Sequence, residues 1–190
     1  MKKNLITAGV DEVGRGCLAG PVVSAAVILK NSINLNLLKD SKKISFNKRE
    51  KISEHIKLNS YYAIGIASVE EILKLNILQA SLLSMKRAIV KLSIRPELIL
   101  IDGNFAPKNL KNFKTIINGD EKIKVISAAS IIAKVYRDNL MLKLSEKFSN
   151  YSWERNFGYG TKAHLNSLKK FGITSHHRKS FKPVHKILSK

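Results

Sequence analysis

Apolar residues in this chain fall first in short unbroken runs and later at helical spacing. Residues 5–10 (LITAGV) form one run and residues 21–29 (PVVSAAVIL) another, the second rich in Val, Ala and Ile after a Gly-Pro break. Both read as strands, and together as a hairpin. Residues 31–46 mix Asn, Ser and Lys without sustained periodicity and predict a loop, followed by a short helix over about residues 47–58. Residues 61–68 (YYAIGIAS) read as a third strand. From Val69 the period changes: VEEILKLN and NILQASLLSMKRAIVKL set Ile77, Leu78, Ser81, Leu82, Met85, Ala88 and Ile89 on one side of a helix, with Pro96 at its exit. Residues 97–104 (ELILIDGN) predict a buried strand ending in an acidic turn, and residues 112–118 (NFKTIIN) another strand. A long helix over residues 123–148 carries Ile126, Ala129, Ala133, Leu140 and Leu144 at helical spacing, and a last helical region follows GYGT at 158–161.

Strands first, then alternating helices and strands, predict an α/β fold: a mixed sheet with an antiparallel start, flanked by helices. Residues 1–150 would form this unit, and residues 151–190 a basic helical extension packed as part of it. No internal repeat or flexible linker interrupts the chain. With 190 residues, 44% of them hydrophobic, it can bury a core of ordinary size.

Charge changes the picture more than length does. Lys and Arg total 34 against 14 Asp and Glu, a formal net charge of +20, which favours a polyanionic partner and nucleic acid first. Cys17 is the sole cysteine, so an intramolecular disulfide and a cysteine-built zinc site are excluded, and a reduced compartment fits. Asp11 and Glu12 cut the first apolar run short of a signal-peptide core, and no run approaches the ~20 apolar residues of a membrane span. A cytoplasmic protein without membrane attachment is expected.

In so basic a chain the acidic residues at strand ends are the informative minority. Asp11 and Glu12 close the first strand, Asp102 closes the LILID strand, and Asp120 in NGDEK precedes the long helix. If the strands of Asp11 and Asp102 are neighbours, three or four carboxylates meet at one end of the sheet, where their repulsion calls for a cation. Oxygen-only ligands select hard ions such as Mg²⁺ or Mn²⁺. An acidic centre on a basic surface suits phosphodiester hydrolysis by paired metal ions. Taken singly, Asp102 or Asp120 is more often a turn or helix cap than a ligand. Glu12 can join Asp11 only where the strand ends or bulges, since side chains alternate faces. Asp138 competes with Asp120 for the fourth position but lies inside the long helix, one turn after Lys134, where it can serve as a partner of Lys134 or Arg137.

The spacing of Gly14, Gly16 and Gly20 is G-x-G-x-x-x-G, followed by a strand, so the dinucleotide fingerprint fails in spacing and in context. These glycines can still bring a backbone close to a ligand, including a sugar hydroxyl, or simply form a hairpin bend. His55, His164, His176, His177 and His185 show no zinc spacing and read as phosphate-contacting or solvent-exposed. Trp153 and the Phe residues read as packing groups, and Cys17 as a packed thiol.

DEVGRGCLAGPVV, LKDSKKIS, LILIDGN, GDEKIKVISAASIIAKVYRD, FGYGTKAH and HHRKSF stand here in the order, and at roughly the intervals, of the type 2 ribonucleases H. Over nearly its whole length the chain resembles the bacterial ribonuclease HII branch. The resemblance implies a ribonuclease-H-like sheet, with Asp11, Glu12, Asp102 and Asp120 as metal-binding catalytic carboxylates for two Mg²⁺ or Mn²⁺ ions. It implies that Gly14, Arg15 and Gly16 contact the 2′-hydroxyl of a ribonucleotide and that Tyr159 stacks on the sugar of the next, deoxy, nucleotide. Lys42 or Lys43, Ser130, Lys134 and the region of Arg178 are expected near backbone phosphates. The implied substrates are RNA/DNA hybrid and duplex DNA with embedded ribonucleotides, cut 5′ of the ribonucleotide by a monomer. A junction resolvase on the same fold would share the carboxylates without needing the glycine-arginine-glycine loop, and a non-catalytic RNA-binding protein would need no acidic cluster.

Overall fold

A computed structural model of the chain describes residues 5–38 and 45–189. Five strands form one sheet: β1 (Thr7–Val13), β2 (Val22–Leu29), β3 (Ser60–Ala67), β4 (Leu98–Asp102) and β5 (Phe113–Ile116), in the order β3-β2-β1-β4-β5. β1, β2 and β3 pair antiparallel, whereas β1, β4 and β5 pair parallel, as the antiparallel start predicts. The helices are α1 (Phe46–Leu58), α2 (Val69–Val90), α3 (Gly119–Lys122), α4 (Lys124–Lys147), α5 (Trp153–Asn156), α6 (Lys162–Phe171) and α7 (Lys182–Leu188). The mixed sheet with helices on its faces is the α/β architecture read from the sequence. No helix among the described residues is long and apolar enough to cross a membrane.

β2 is buried almost end to end because both of its faces are covered. Ala25 and Val27 face α1 and α4, packing with Ile52, Ile56, Ala129 and Ile132. Ala26 turns the other way, to Val10, Ile99, Ile101 and the Met85 and Ala88 side of α2. α2 opens on a capping box, with Ser68 accepting from the Glu71 N–H and Glu71 accepting from the Ser68 N–H. It is kinked at Asn76, whose φ of 68° leaves the helical region and whose Oδ1 caps the second half through the Gln79 N–H at 3.1 Å. The Glu71–Arg87 ion pair, 2.6 Å, ties the two halves together.

One expectation changes in detail. β1 does not stop at Val10: it pairs with β2 through Val13, while its pairing with β4 reaches only Val10. The strand thus ends on one side and continues on the other, which leaves Asp11 and Glu12 inside a strand yet beyond its parallel neighbour.

α4 crosses β1 at Gly9 with no room between the backbones. A Cβ built on Gly9 would stand 2.2 Å from the Val125 carbonyl oxygen, and Ala128, Ala129 and Ala133 keep the facing helix surface low. Gly9→Ala is therefore expected to cost about 1–3 kcal/mol by overpacking, seen as a lower urea midpoint with an unchanged slope. An unchanged midpoint would mean that α4 is not seated this closely on β1.

Candidate active site

Two neighbouring strand ends and the short helix α3 bring the acids together. Asp11 shares the face of Gly9 that looks towards α4; it is 6% exposed, accepts the Glu12 N–H at 2.7 Å and has the Ser130 hydroxyl close by. Asp102 ends β4 one register step past the Val10–Ile101 pair, beside Asp11. Its Oδ1 accepts the Gly119 N–H at 2.6 Å and so fixes the start of α3, whose next residue is the buried Asp120. Glu12 reaches the same space and pairs with Arg15 at 3.0 Å.

The four carboxylates line one open cleft of about 360 Å³, together with Val13, Arg49, Ser130, Ile131, Lys134 and Tyr159. Burial, and then the charges of Glu12 and Asp102, hold the Asp11 carboxyl well above its ordinary value. Burial raises Glu12 too, against the opposing pull of Arg15. Among the described residues no group of three or more His, Cys, Asp or Glu side chains is gathered closely enough to hold a metal ion. The acids stand as separate oxygen donors around an open space, which suits a hard divalent cation that keeps several waters or takes a phosphate oxygen. A cation there would also offset the repulsion that now bears on Asp11.

Asp138 does not line the cleft. It is 1% exposed and bound to Lys134 Nζ at 2.7 Å, with Arg49 at 3.7 Å, so it orients a lysine of the cleft wall. The same Lys134 Nζ lies 5.0 Å from the Phe157 ring centre and 5.7 Å from that of Tyr159.

Two buried arginines fix the segment at residues 15–21, and one of them also holds the chain just before the Tyr159 turn. Arg137 donates from Nε to the Pro21 carbonyl, from Nη2 to that of Ala19 and from Nη1 to that of Phe157, at 3.1, 2.9 and 2.8 Å. Gly14, with φ +93°, makes room for it, since a Cβ there would meet Arg137 Nε at 2.2 Å. Arg178 donates to the Gly20 and Arg15 carbonyls, both at 2.9 Å. The Leu18 N–H donates to the Gly158 carbonyl at 2.7 Å, and the Cys17 thiol lies close to the Tyr159 hydroxyl. Burial and the neighbouring Cys17 push that phenol up to about 12, so it stays protonated. Of Gly14, Gly16 and Gly20, Gly16 is the one that faces open space, with nothing within 4 Å of a built Cβ.

Several expectations from the sequence are corrected here. Arg178 is 1% exposed with its guanidinium committed to loop carbonyls, so it holds the loop and presents no surface to a phosphate. His164 and His177 are fully buried in contact with each other, not exposed. Lys42 and Lys43 lie outside the described residues. Arg49 and Arg137 were not singled out as site residues; one signal for Arg137 was available in the glycines at 14 and 20, both of which make space around its side chain.

The chain matches the family model for ribonuclease HII over residues 8–184. The chain belongs to the ribonuclease HII family. A ribonuclease HII of Pelagibacter ubique is 61% identical over 185 residues, covering 96% of this chain and 99% of the relative. One from Coxiella burnetii is 52% identical, covering 97% and 92%. The crystal structure of the ribonuclease H2 from Pyrococcus horikoshii superposes with a TM-score of 0.80 at 28% identity, covering 96% of this chain and 97% of that one. The family and the fold establish a hydrolase of the ribonuclease H type, an endonuclease that acts on nucleic acid and depends on a divalent metal.

The raised carboxyl of Asp11 has a stability consequence. A folded-state value above the unfolded one means that the native protein binds the extra proton, so stability falls as pH rises through that interval and stays lost at neutral pH. Asp11→Asn, measured in EDTA, is expected to melt higher than wild type at neutral pH, by about 2–4 °C for each kcal/mol relieved. The difference should close below the ordinary carboxyl value of 3.8. Added Mg²⁺ or Mn²⁺ should raise the wild-type melting temperature and leave that of the variant in place. Equal melting temperatures at neutral pH would contradict the electrostatic account.

Proposed function

We propose that this endonuclease hydrolyses the phosphodiester on the 5′ side of a ribonucleotide, in RNA/DNA hybrids or in duplex DNA with embedded ribonucleotides, and leaves 3′-hydroxyl and 5′-phosphate ends. The observation that carries this reading is that Arg15 of the loop at residues 14–16 pairs with Glu12 of the carboxylate cleft, while the segment that follows the loop is hydrogen-bonded to the Tyr159 turn through the Leu18 N–H and the Gly158 carbonyl. A site that only cut phosphodiesters would need the acids alone. Gly16 adds a stretch of backbone with nothing over it, open to a sugar hydroxyl that distinguishes RNA from DNA.

Two Mg²⁺ or Mn²⁺ ions, held by Asp11, Glu12, Asp102 and Asp120, would activate the attacking water and offset charge on the leaving oxygen. Ser130 orients Asp11 through its hydroxyl, and Asp102 orients Asp120 through the Gly119 N–H. Arg15, paired with Glu12 in the free protein, brings the loop and its open Gly16 against the acids. Lys134, steadied by Asp138, presents its ammonium to a phosphate at the cleft mouth. The Tyr159 ring, 40% exposed, offers a flat apolar wall suited to a sugar without a 2′-hydroxyl. Lys42 and Lys43 would add salt-sensitive backbone contacts. A monomer acting in the cytoplasm completes the reading.

The test is a duplex bearing one ribonucleotide, incubated with Mg²⁺ or Mn²⁺ beside its all-DNA counterpart. Wild type should incise only the first, and Asp11→Asn should lower the rate by roughly 10²-fold or more. Gly16→Ala should keep the wild-type melting temperature yet lose about tenfold in incision, because the added methyl meets the substrate and no protein atom. Equal cutting of the all-DNA duplex, or full activity in Asp11→Asn, would sink the proposal.

A further inference from the structure

Behind the Tyr159 turn lies a buried polar network whose hydrogen-bond directions can be worked out from donors that have no choice. The Thr174 N–H donates to His177 Nδ1 at 2.9 Å. That nitrogen therefore carries the lone pair, and the proton of the neutral ring sits on Nε2, which faces His164 Nε2 at 3.1 Å. The Trp153 indole N–H, also a donor only, reaches the same His164 Nε2 at 3.1 Å. His164 must then accept on Nε2 and hold its own proton on Nδ1, which lies 2.9 Å from the Tyr159 carbonyl. That carbonyl takes its second hydrogen bond from the Thr161 N–H at 2.8 Å. Both histidines are fully buried, and their own burial keeps them neutral.

We propose that His164 is a positioning residue for ribonucleotide cleavage: its Nδ1–H fixes the Tyr159 main chain, and His177, Trp153 and Thr174 hold its ring in the one tautomer able to do so. The inference rests on the reading of Tyr159 as a wall for the nucleotide beside the cut. The ring of Tyr159 has Cys17 near its hydroxyl and Lys134 along its face, and its backbone sits on a short turn between Gly158 and Gly160. Gly158, with φ +84°, is held against Ala19 and bonded to the Leu18 N–H, and the bond from His164 fixes the next carbonyl, that of Tyr159 itself. A ring displaced by a fraction of an ångström would still form a wall, though a poorly placed one, and placement is what sets rate in a site of this kind.

Two substitutions separate positioning from packing. His164→Asn keeps a donor where Nδ1 was and loses the Nε2 acceptor; His164→Gln keeps an acceptor where Nε2 was and loses the donor to Tyr159. Both should melt lower than wild type. On a duplex with one ribonucleotide, His164→Gln should lose about tenfold in kcat/KM, whereas His164→Asn should stay within about threefold. On a Tyr159→Ala background the Gln substitution should cost nothing more, since the group it positions is gone. The single tryptophan, Trp153, reports folding of each variant by its fluorescence. In the wild-type protein, ¹⁵N NMR should find His164 protonated on Nδ1 and bare on Nε2 at neutral pH, a result that does not depend on any variant folding. The opposite tautomer, equal losses in the Gln and Asn proteins, or a loss that persists without the Tyr159 ring would overturn the inference. A silent Tyr159→Ala would instead remove the nucleotide-contact reading on which the inference stands, an outcome distinct from a silent His164→Gln beside an effective Tyr159→Ala.

Discussion

The close seating of α4 on β1 is the contact on which the rest depends. β1 brings Asp11 and Glu12, and α4 brings Ser130, Lys134, Arg137 and Asp138, so the distance between these two elements sets every distance in the cleft. Gly9 and the alanines of α4 allow backbone to meet backbone, and the Ser130 hydroxyl then reaches the Asp11 carboxylate without a long side chain between them. The same helix carries Arg137 one face further round, where it ties the loop at residues 14–21 to the Tyr159 turn. A bulky residue at Gly9 would therefore disturb acids, loop and tyrosine together.

This arrangement concentrates groups that are costly to bury. Asp11 and Asp120 lie buried beside other acids, and Arg137 and Arg178 are 0% and 1% exposed. Removing an ion from water costs several kcal/mol unless hydrogen bonds replace the lost hydration. For Arg137 they do, and for Arg178 in part, its Nη2 being buried without a partner: the two guanidinium groups donate to five main-chain carbonyls, which turns an otherwise irregular loop into a fixed one. For Asp11 they do so only in part, and its raised carboxyl value records the remainder. The acids are thus held in a state whose mutual repulsion a divalent cation among them would relieve.

The sheet was legible because its signals are local. Strand runs, the shift to helical spacing at Val69 and the acidic strand ends all follow from residues near one another in sequence, and the parallel pairing of β1 with β4 then brings Asp11 to Asp102. The pairing of Asp138 with Lys134 was also within reach, because a carboxylate one turn from a lysine has an obvious partner. What the sequence hid was burial of polar groups by distant elements. Nothing in HHRKSF indicates that His177 would meet Trp153 and His164, or that Arg178 would spend its charge on Gly20 and Arg15, more than 150 residues earlier. A dense run of basic residues looks like a solvated, phosphate-facing tail whether it packs or not. Here residues 176–178 pair with 18–20 as an extra edge and close the back of the site.

The central claim is that one rigid unit both finds the ribose and cuts beside it. The most direct measurement is to move a single ribonucleotide one position at a time along an otherwise constant DNA duplex and to map the cut and its end groups at nucleotide resolution. The account predicts a cut that moves in step, always 5′ of the ribonucleotide, with 3′-hydroxyl and 5′-phosphate ends. A cut that stays fixed in the surrounding sequence, falls on the 3′ side or leaves a 2′,3′-cyclic phosphate would contradict it.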